Sequence, residues 1–379
     1  MQTLQPTLRL GRDVWDSVAM PVEEFQGRVI ALRAGMKDRG LDALMLYGNS
    51  LDECGYPTYL SNYTTKLPFG ALVLLTKEGA PVLMFQGSTR GQSAAKATTW
   101  FKDVRACWDI AATCCEALAE KNLLTSAIGL AGLPQLMPYE AWNTLSAAMK
   151  GAKLVDAHSM IDTLRAVKSD REISRIRRAR QMIHDALGTL GGVSFRAENE
   201  TTVAARLMHD VRRQGAEDVR VLIAKPGEPG WAFRPVEDAP LRDGETVAVH
   251  MAASWERYWA EAARTYLITG DSFEGLGTPE LDLRFETVAK NLRTGRPISD
   301  YMECAMREME SANAVLMQQY GFGHGIGVTA NEWPKISPES PHRDVVVENR
   351  MCFSIQLAFT DLRNRLVIRG ETVAVDSGD

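Results

Sequence analysis

Residues 247–267, VAVHMAASWERYWAEAARTYL, have the pattern of two β-strands joined by a tight turn. Side chains alternate between the two faces of a strand, so His250 shares its face with small alanines that leave space beside the imidazole. Glu261 lies eleven positions further along the chain, among small and aromatic neighbours. Because burial of a carboxylate costs several kcal/mol unless the charge is paired, the pattern predicts a partner for Glu261.

The chain is longer than one hydrophobic core usually supports, since its 379 residues exceed the roughly 250 to 300 at which single cores stop growing. The first half alternates helical and strand patterns, which is typical of an α/β layer. A capping box at Ser169 and Glu172 then starts a long amphipathic helix, and strand pairs dominate the rest. We therefore predict an α+β protein with an α/β domain at 1–165 and a second domain at 166–379.

The composition argues against several classes of partner. The formal net charge is -5 and no large Lys/Arg block occurs, so we expect no nucleic-acid or anionic-membrane surface. No apolar run reaches the roughly 18 residues of a membrane span, and the first residues contain no apolar signal core, so we expect a cytoplasmic protein. The six cysteines lack CxxC spacing and are interpreted as small buried hydrophobic residues rather than disulfide or zinc ligands.

Three further segments contain polar residues that could take part in chemistry. GFGHGIGV places glycines on both sides of His324, which would let the backbone approach a ligand closely and leave the imidazole open. The segment lacks the Lys-Ser/Thr of a P-loop, so nucleotide binding is not predicted. ANEWPK contributes Glu332 and Lys335, and Gln356 interrupts the apolar strand MCFSIQLAF. A buried glutamine needs hydrogen-bond partners, so Gln356 indicates a polar site.

Taken in order, the segments LRAVKSDREISRIRRA, VAVHMAASWERYWAEAARTY, GFGHGIGV, NEWP, ENRMCFSIQ and VIRGETVAV resemble the creatinase/aminopeptidase P superfamily. The resemblance covers nearly the whole chain. It implies an N-terminal creatinase-like α/β domain followed by a C-terminal catalytic domain of the pita-bread fold. It also implies a homodimer in which the N-terminal domain of one chain closes the active site of the other. Tyr63 and Lys66, in YLSNYTTKLPFG, are candidates for those contacts.

The resemblance also implies a degenerate metal site. In the metallopeptidases of the superfamily, two metal ions are held by two aspartates, one histidine and two glutamates. The matching positions here are His250, Glu261, His324, Gln356 and Gly370. Three of the five positions have thus lost an anionic oxygen, and two divalent cations about 3.5 Å apart need those charges to offset their repulsion. A dinuclear aminopeptidase is therefore not expected.

Creatinases and ectoine hydrolases are metal-free branches, and the ectoine hydrolases look similar around the hairpin. Phe233 stands where creatinases and the peptidases carry a histidine, while Lys335 lies where creatinases hold an arginine that binds the substrate carboxylate. Our leading hypothesis is a metal-independent hydrolase of a C–N bond, or a related lyase, that acts on a small polar, carboxylate-bearing metabolite. His250 and His324 would serve as base and acid, since a model imidazole has a pKa of about 6.5 and can exchange a proton near neutral pH. Glu261 would orient an imidazole or attack the substrate itself.

The side chains predicted to bind the substrate are Tyr63, Lys66, Phe233, Tyr258, Glu332, Lys335 and Gln356. Strand alternation, if regular, places Tyr258 and Arg264 on the face opposite Glu261, and Arg264 is better interpreted as a structural ion-pair partner. A shift of the alignment by one residue at Gly370 would offer Glu371 as a metal ligand, but alternation would then point that side chain away from the cavity.

Two other functions stay open. His250, Glu261 and His324 could hold a single iron, manganese or zinc ion, as a set of two histidines and one carboxylate. Alternatively, the chain could be a catalytically inactive pita-bread domain that binds a peptide or protein.

Overall fold

The computed structural model describes residues 15–50, 52, 54–65, 69–192, 198–226, 231–309 and 321–376. The chain divides into two compact units, Met1–Arg165 and Ala166–Asp379. All six cysteines are free thiols; Cys54, Cys114 and Cys352 are buried, as predicted, whereas Cys107, Cys115 and Cys304 are partly exposed. Among the helices that the structure describes, none is long and apolar enough to cross a membrane.

The first unit is a sheet with helices around it. Its described strands are β1 (Ala43–Asn49), β2 (Gly70–Thr76), β3 (Val82–Gln86), β4 (Asp103–Cys107), β5 (Ala127–Ala131) and β6 (Lys153–Asp156). Its described helices are α1 (Val22–Asp38), α2 (Gly55–Ser61), α3 (Gln92–Thr98), α4 (Ile110–Glu120), α5 (Leu133–Leu136), α6 (Tyr139–Ala148) and α7 (His158–Ala166), with a short 3-10 turn at Thr89–Gly91. The strand order is β4-β3-β2-β1-β5-β6. Strands β1, β2 and β3 pair antiparallel, and the remaining pairs are parallel.

The strands of the first unit follow the apolar runs of the sequence. ALMLY, ALVLL, APVLMF and AIGLAG form β1, β2, β3 and β5, and every residue of the central strand β1 is buried. A strand covered on both faces gives such a continuous apolar run. The edge strands β4 and β6 contain charged residues and were not predicted.

The second unit is built on an antiparallel sheet. Its described helices are α8 (Asp170–Thr189), α9 (Glu200–Arg213), α10 (Pro279–Ala289) and α11 (Ile298–Met309). Its described strands are β7 (Asp218–Ala224), β8 (Arg234–Pro235), β9 (Thr246–Trp255), β10 (Tyr258–Thr269), β11 (Ser272–Gly275), β12 (Gly323–Gly325), β13 (Glu332–Ile336), β14 (Cys352–Thr360) and β15 (Leu366–Ala374). The strand order is β13-β12-β14-β15-β10-β9-β7-β8, and β11 pairs with β10. The α+β class predicted from the sequence is confirmed.

Helix α8 begins at the predicted capping box. The backbone N–H of Glu172 donates to Ser169 Oγ at 3.2 Å, and the backbone N–H of Ser169 donates to Glu172 Oε2 at 2.8 Å. These two bonds satisfy donors that a helix N-terminus otherwise leaves without partners. Helix α8 packs against β9 and β10 and so covers one face of the sheet.

Strands β9 and β10 join through a two-residue turn, Glu256 and Arg257, whose φ angles are 45° and 80°. Such left-handed positions normally favour glycine or asparagine. Here buried charges hold the turn: the backbone N–H of Arg257 donates to Glu217 Oε2 at 2.8 Å, and its guanidinium pairs with the same carboxylate. Arg175 pairs with Glu256 at 3.0 Å. The turn fixes a regular register along the whole hairpin.

Candidate active site

The register of the sheet brings two rows of residues to one face, because directly opposed residues of antiparallel strands point the same way. The first row contains Ala252, Glu261, Thr372, Ser354 and His324. The second row contains His250, Ala263, Gly370 and Gln356. The five positions matched to the metal ligands of the superfamily therefore lie side by side.

Glu261 lies between the two histidines. His250 Nε2 is 3.6 Å and His324 Nε2 is 3.5 Å from the same carboxylate oxygen, Oε2. The hydroxyl of Ser354 donates to that oxygen at 2.7 Å. The hydroxyl of Thr372 accepts from the backbone N–H of Glu261 at 2.7 Å and lies 2.9 Å from its backbone carbonyl, which fixes the backbone at this point. The partner predicted for the buried carboxylate is thus a pair of imidazoles.

The electrostatics of Glu261 favour an ionised carboxylate. Burial by itself raises the pKa of this carboxyl, since only 7% of the residue is exposed. Positive charge on His324 and contacts from both imidazoles outweigh burial, so the pKa of Glu261 lies well below its ordinary value. The site therefore keeps one negative charge in place, where it can stabilise a proton on either histidine.

Glycines place His324 by letting strands approach each other. A Cβ on Gly323 would lie 2.2 Å from the carbonyl oxygen of Ser354, and a Cβ on Gly325 would lie 2.2 Å from that of Trp333. The predicted close approach of the backbone is therefore to neighbouring strands. Nδ1 of His324 lies 3.0 Å from the carbonyl oxygen of Gly325. Since a carbonyl only accepts, Nδ1 carries a proton and Nε2 is the nitrogen that faces Glu261.

His250 lies against an aromatic ring, with the ring centroid of Phe233 5.5 Å away. Several buried polar atoms on this side of the sheet have no hydrogen-bond partner among the described residues: Nδ1 and Nε2 of His250, Nε1 of Trp259 and Oε1 of Gln356. Buried polar groups in proteins are nearly always satisfied, so this cluster indicates a face that receives a polar ligand or water.

Three polar residues of the hairpin and of β15 lie on the other face of the sheet, towards α8. The hydroxyl of Tyr258 donates to Glu172 Oε1 at 3.1 Å, so Tyr258 is not brought to the face of Glu261. Arg264 pairs with Glu371 at 2.8 Å, in the structural role predicted for it. Glu371 also accepts from Arg180, which confirms that it points away from the candidate site. Strand alternation is the physical reason for all three placements.

Glu332 is buried and supports the segment that follows His324. Its Oε2 lies 3.0 Å from Lys168 Nζ, and its Oε1 accepts from the backbone N–H of Thr329 at 3.1 Å. Lys335 is exposed, lies opposite His324 in the register and contacts Asn331 with its ammonium group. Glu332 therefore holds the loop, while Lys335 lies beside the site.

Of the two residues of the first unit that were predicted to contact a partner chain or the substrate, the structure describes one. Tyr63 is 7% exposed and its ring lies 5.2 Å from that of Phe85. Lys66 lies outside the described residues.

Three residues near the site were not predicted: Ser354, Thr372 and Arg220. Ser354 lies two positions before Gln356 in β14, so the alternation that singled out Gln356 could also have found it. Arg220 in β7 lies opposite Ala252, in line with the row of Glu261, and its guanidinium stacks over the ring of Trp259 at 4.3 Å. No local signal indicated Arg220, because its position follows from the pairing of distant strands.

The donor set of this face is poor in anionic oxygen. A Cβ on Gly370 would lie 3.0 Å from the backbone nitrogen of Ala263 and 3.1 Å from Cγ of Gln356. The glutamine side chain therefore fills the space that a residue at 370 would need. Within the described ranges, no group of three or more His, Cys, Asp or Glu side chains is arranged to hold a metal ion.

Two family models match the sequence of the chain. The model of metallopeptidase family M24 matches residues 174–376, and the model of the creatinase/prolidase N-terminal domain matches residues 28–167. The Xaa-Pro dipeptidase of Pyrococcus horikoshii is 23% identical over 237 residues, which cover 59% of this chain and 64% of that protein. The chain thus spans a little under two thirds of that curated relative.

Solved structures show the same fold at low identity. The prolidase from Pyrococcus horikoshii OT3 has a TM-score of 0.68 at 18% identity, covering 93% of this chain and 96% of that one. The N-terminal domain of the FACT complex subunit SPT16 from Cicer arietinum has a TM-score of 0.66 at 16% identity, covering 94% of each chain. These matches confirm the predicted creatinase-like domain followed by a pita-bread domain. The model of metallopeptidase family M24 matches more than half of the length of this chain, so the chain belongs to that family.

Proposed function

We propose that this chain is a metal-independent hydrolase that cleaves a C–N bond in a small polar, carboxylate-bearing metabolite. The observation that carries the proposal is the buried carboxylate oxygen of Glu261, which has one imidazole nitrogen at 3.6 Å and another at 3.5 Å. A dipeptidase hydrolyses an amide C–N bond, so the relative from Pyrococcus horikoshii supports the class of reaction. The small carboxylate substrate rests on the resemblance to creatinases.

The residues present do not fit the two-metal centre that the family name implies. Glu261 is the single carboxylate among the five matched positions, Gln356 offers a neutral amide, and Gly370 has no side chain. One negative charge cannot offset the repulsion of two adjacent divalent cations. The proposed chemistry is therefore assigned to the protein side chains alone.

In the proposed reaction, water attacks the carbon of the C–N bond. One imidazole accepts a proton from the water as the new C–O bond forms, and the other donates a proton to the departing nitrogen, so protons and charge balance. Glu261 stabilises whichever imidazole is protonated, because it lies at similar distances from both. Ser354 holds the carboxylate oxygen in this position.

A single metal ion held by His250, Glu261 and His324 is the competing arrangement. The donor geometry supports it less, because no such group in the described part of the chain is placed to hold an ion. An inactive binding domain is a further alternative, and the SPT16 domain shares the fold. The cluster of buried polar atoms that have no hydrogen-bond partner in the described part of the chain favours a small-molecule site over an inert core.

The proposal is tested on full-length protein purified without added metal. Metal content is measured by mass spectrometry, and turnover is measured with and without chelator on a panel of small amide, amidine and lactam carboxylates and on Xaa-Pro dipeptides. We expect turnover of a small carboxylate that chelator does not affect. The variant His324→Asn should lose about a hundred-fold or more in kcat. The matched control is His209→Asn, since His209 is exposed on α9.

Two outcomes would contradict the proposal. Stoichiometric metal whose removal abolishes turnover would support the metal-dependent arrangement. No turnover of any substrate, together with saturable binding of a peptide or protein, would support the inactive domain. The predicted homodimer is tested separately by size-exclusion chromatography with light scattering.

A further inference from the structure

A second cleft opens in the sheet where two strands part. Strand β10 pairs with β15 only at Ala262↔Glu371 and Ala263↔Gly370, and β11 then takes the place of β15 along the same edge of β10. Where the strands diverge, the hydroxyl of Thr265 bridges the gap: it donates to the carbonyl of Ile368 at 2.9 Å and accepts from its N–H at 2.8 Å. The divergence leaves a cleft of about 380 Å³. This volume lies in the lower part of the range for small-ligand sites.

The walls of the cleft combine glycines and apolar side chains with several polar ones. The glycines come from the end of α8, the last residue of β11 and the segment after it, and a Cβ on Gly188, Gly275 or Gly277 would meet no atom within 4 Å. The apolar side chains that line the cleft are Leu187, Leu281, Phe359, Val367 and Ile368. An aromatic or aliphatic group could therefore enter between them without displacing a side chain.

The cleft is also lined by the guanidinium groups of Arg264 and Arg369, the imidazole of His184 and the carboxylate of Asp282. Arg264 is fixed, since it pairs with Glu371 at 2.8 Å and donates to the carbonyl of Gly370 at 2.8 Å. Arg369 pairs with Asp282 at 2.5 Å, but its buried Nε has no hydrogen-bond partner among the described residues. Burial and the neighbouring charge of Arg264 both lower the pKa of Arg369. An anion in the cleft would offset the repulsion between the two guanidinium groups.

We propose that this cleft binds a small organic carboxylate, with the carboxylate group on Arg369 and Arg264 and the apolar part between Leu187 and Phe359. A guanidinium recognises a carboxylate through two parallel N–H donors, and the side chains of Arg264 and Arg369, which line the cleft, are 19% and 21% exposed. The cleft is lined by none of His250, Glu261, His324 or Gln356, so this site is independent of the proposed reaction.

The probe for this site is phenylacetate, titrated into the full chain by isothermal titration calorimetry. Two matched probes separate its parts: 2-phenylethanol keeps the ring without the charge, and acetate keeps the charge without the ring. We expect phenylacetate to bind more tightly than either. Arg369→Gln should weaken binding about 10-fold to 100-fold, as for a lost hydrogen bond to a charged group. Gly188→Leu should abolish binding by filling the cleft, and it leaves both arginines and their partners in place.

The control His324→Asn should leave phenylacetate binding unchanged, because it alters only the candidate active site. Circular dichroism establishes that each variant is folded. The inference is overturned if 2-phenylethanol binds as tightly as phenylacetate, if Gly188→Leu binds phenylacetate normally, or if no saturable binding occurs. Weakening by His324→Asn but not by Gly188→Leu would place the ligand in the candidate active site and would also overturn the inference.

Discussion

Replacement of Lys168 by methionine tests whether a buried ion pair holds the segment that carries His324. Lys168 Nζ lies 3.0 Å from Glu332 Oε2, and the two side chains are only 1% and 3% exposed. At that distance two unit charges attract by about 5.5 kcal/mol for an effective dielectric constant of about 20. Loss of hydration offsets part of this attraction, but removal of Lys168 takes away the attraction while the charge of Glu332 stays buried. The expected loss of unfolding free energy for Lys168→Met is therefore about 3 to 5 kcal/mol.

The assay is equilibrium unfolding in urea, followed by tryptophan fluorescence. The matched control is Arg296→Met, because Arg296 lies 3.8 Å from Asp300 with side chains that are 68% and 40% exposed. An exposed pair of this kind contributes at most about 1 kcal/mol. The double variant Lys168→Met/Glu332→Met should recover much of the loss, since it leaves no buried charge alone. The reasoning is refuted if Lys168→Met costs no more than Arg296→Met.

Three further predictions follow from the buried groups of the sheet. Contacts from His184, Arg264 and Arg180 outweigh burial and lower the pKa of Glu371 to about 2 from 4.5. The ionised Glu371 thus stabilises the folded state by about 3 kcal/mol above the pKa of the unfolded chain, and this contribution is lost as pH falls towards 2. Glu371→Gln should remove the contribution, which urea unfolding midpoints measured across this pH range would show. Glu261→Gln should lower kcat by about a hundred-fold or more, and Ser354→Ala by less, measured on the substrate found in the panel; equal activity of Glu261→Gln would exclude its role. Gly370→Ala should lower the unfolding free energy by about 1 to 3 kcal/mol, because the added methyl group would overpack against Ala263. Gly275→Ala should lower it less, since the added methyl group would meet no atom within 4 Å. Similar melting temperatures for the two variants would contradict this explanation.

The parts of the site that the sequence predicted are those determined within one strand or one hairpin. Alternation along β9 and β10, together with a two-residue turn, decides that His250 and Glu261 share a face. The same alternation correctly placed Arg264 and Glu371 on the other face. It also placed Tyr258 on that other face, where its hydroxyl contacts Glu172.

The remaining parts depend on pairing between strands that are distant in the chain. Ser354 reaches Glu261 because β14 and β15 pair in one particular register, and no local pattern states that register. The role of Glu332 depends on Lys168, which precedes it by 164 positions. The glycines around His324 were interpreted as positions where a ligand approaches the backbone, but neighbouring strands approach there instead. A short-range pattern does not tell which atoms approach a glycine.

The turn at Glu256 and Arg257 has a consequence for the lengths that this hairpin tolerates. Side chains repeat every two residues, so one inserted residue after the turn would rotate Glu261 to the helix-covered side and bring Ala260 to its place. Asn-Gly adopts the same left-handed backbone more readily, but it would remove a charged partner from each of the buried residues Arg175 and Glu217. The register constrains the number of turn residues, and the buried ion pairs constrain their identities. Natural variation at this tip should therefore be small, and insertions and deletions should be confined to loops elsewhere in the chain.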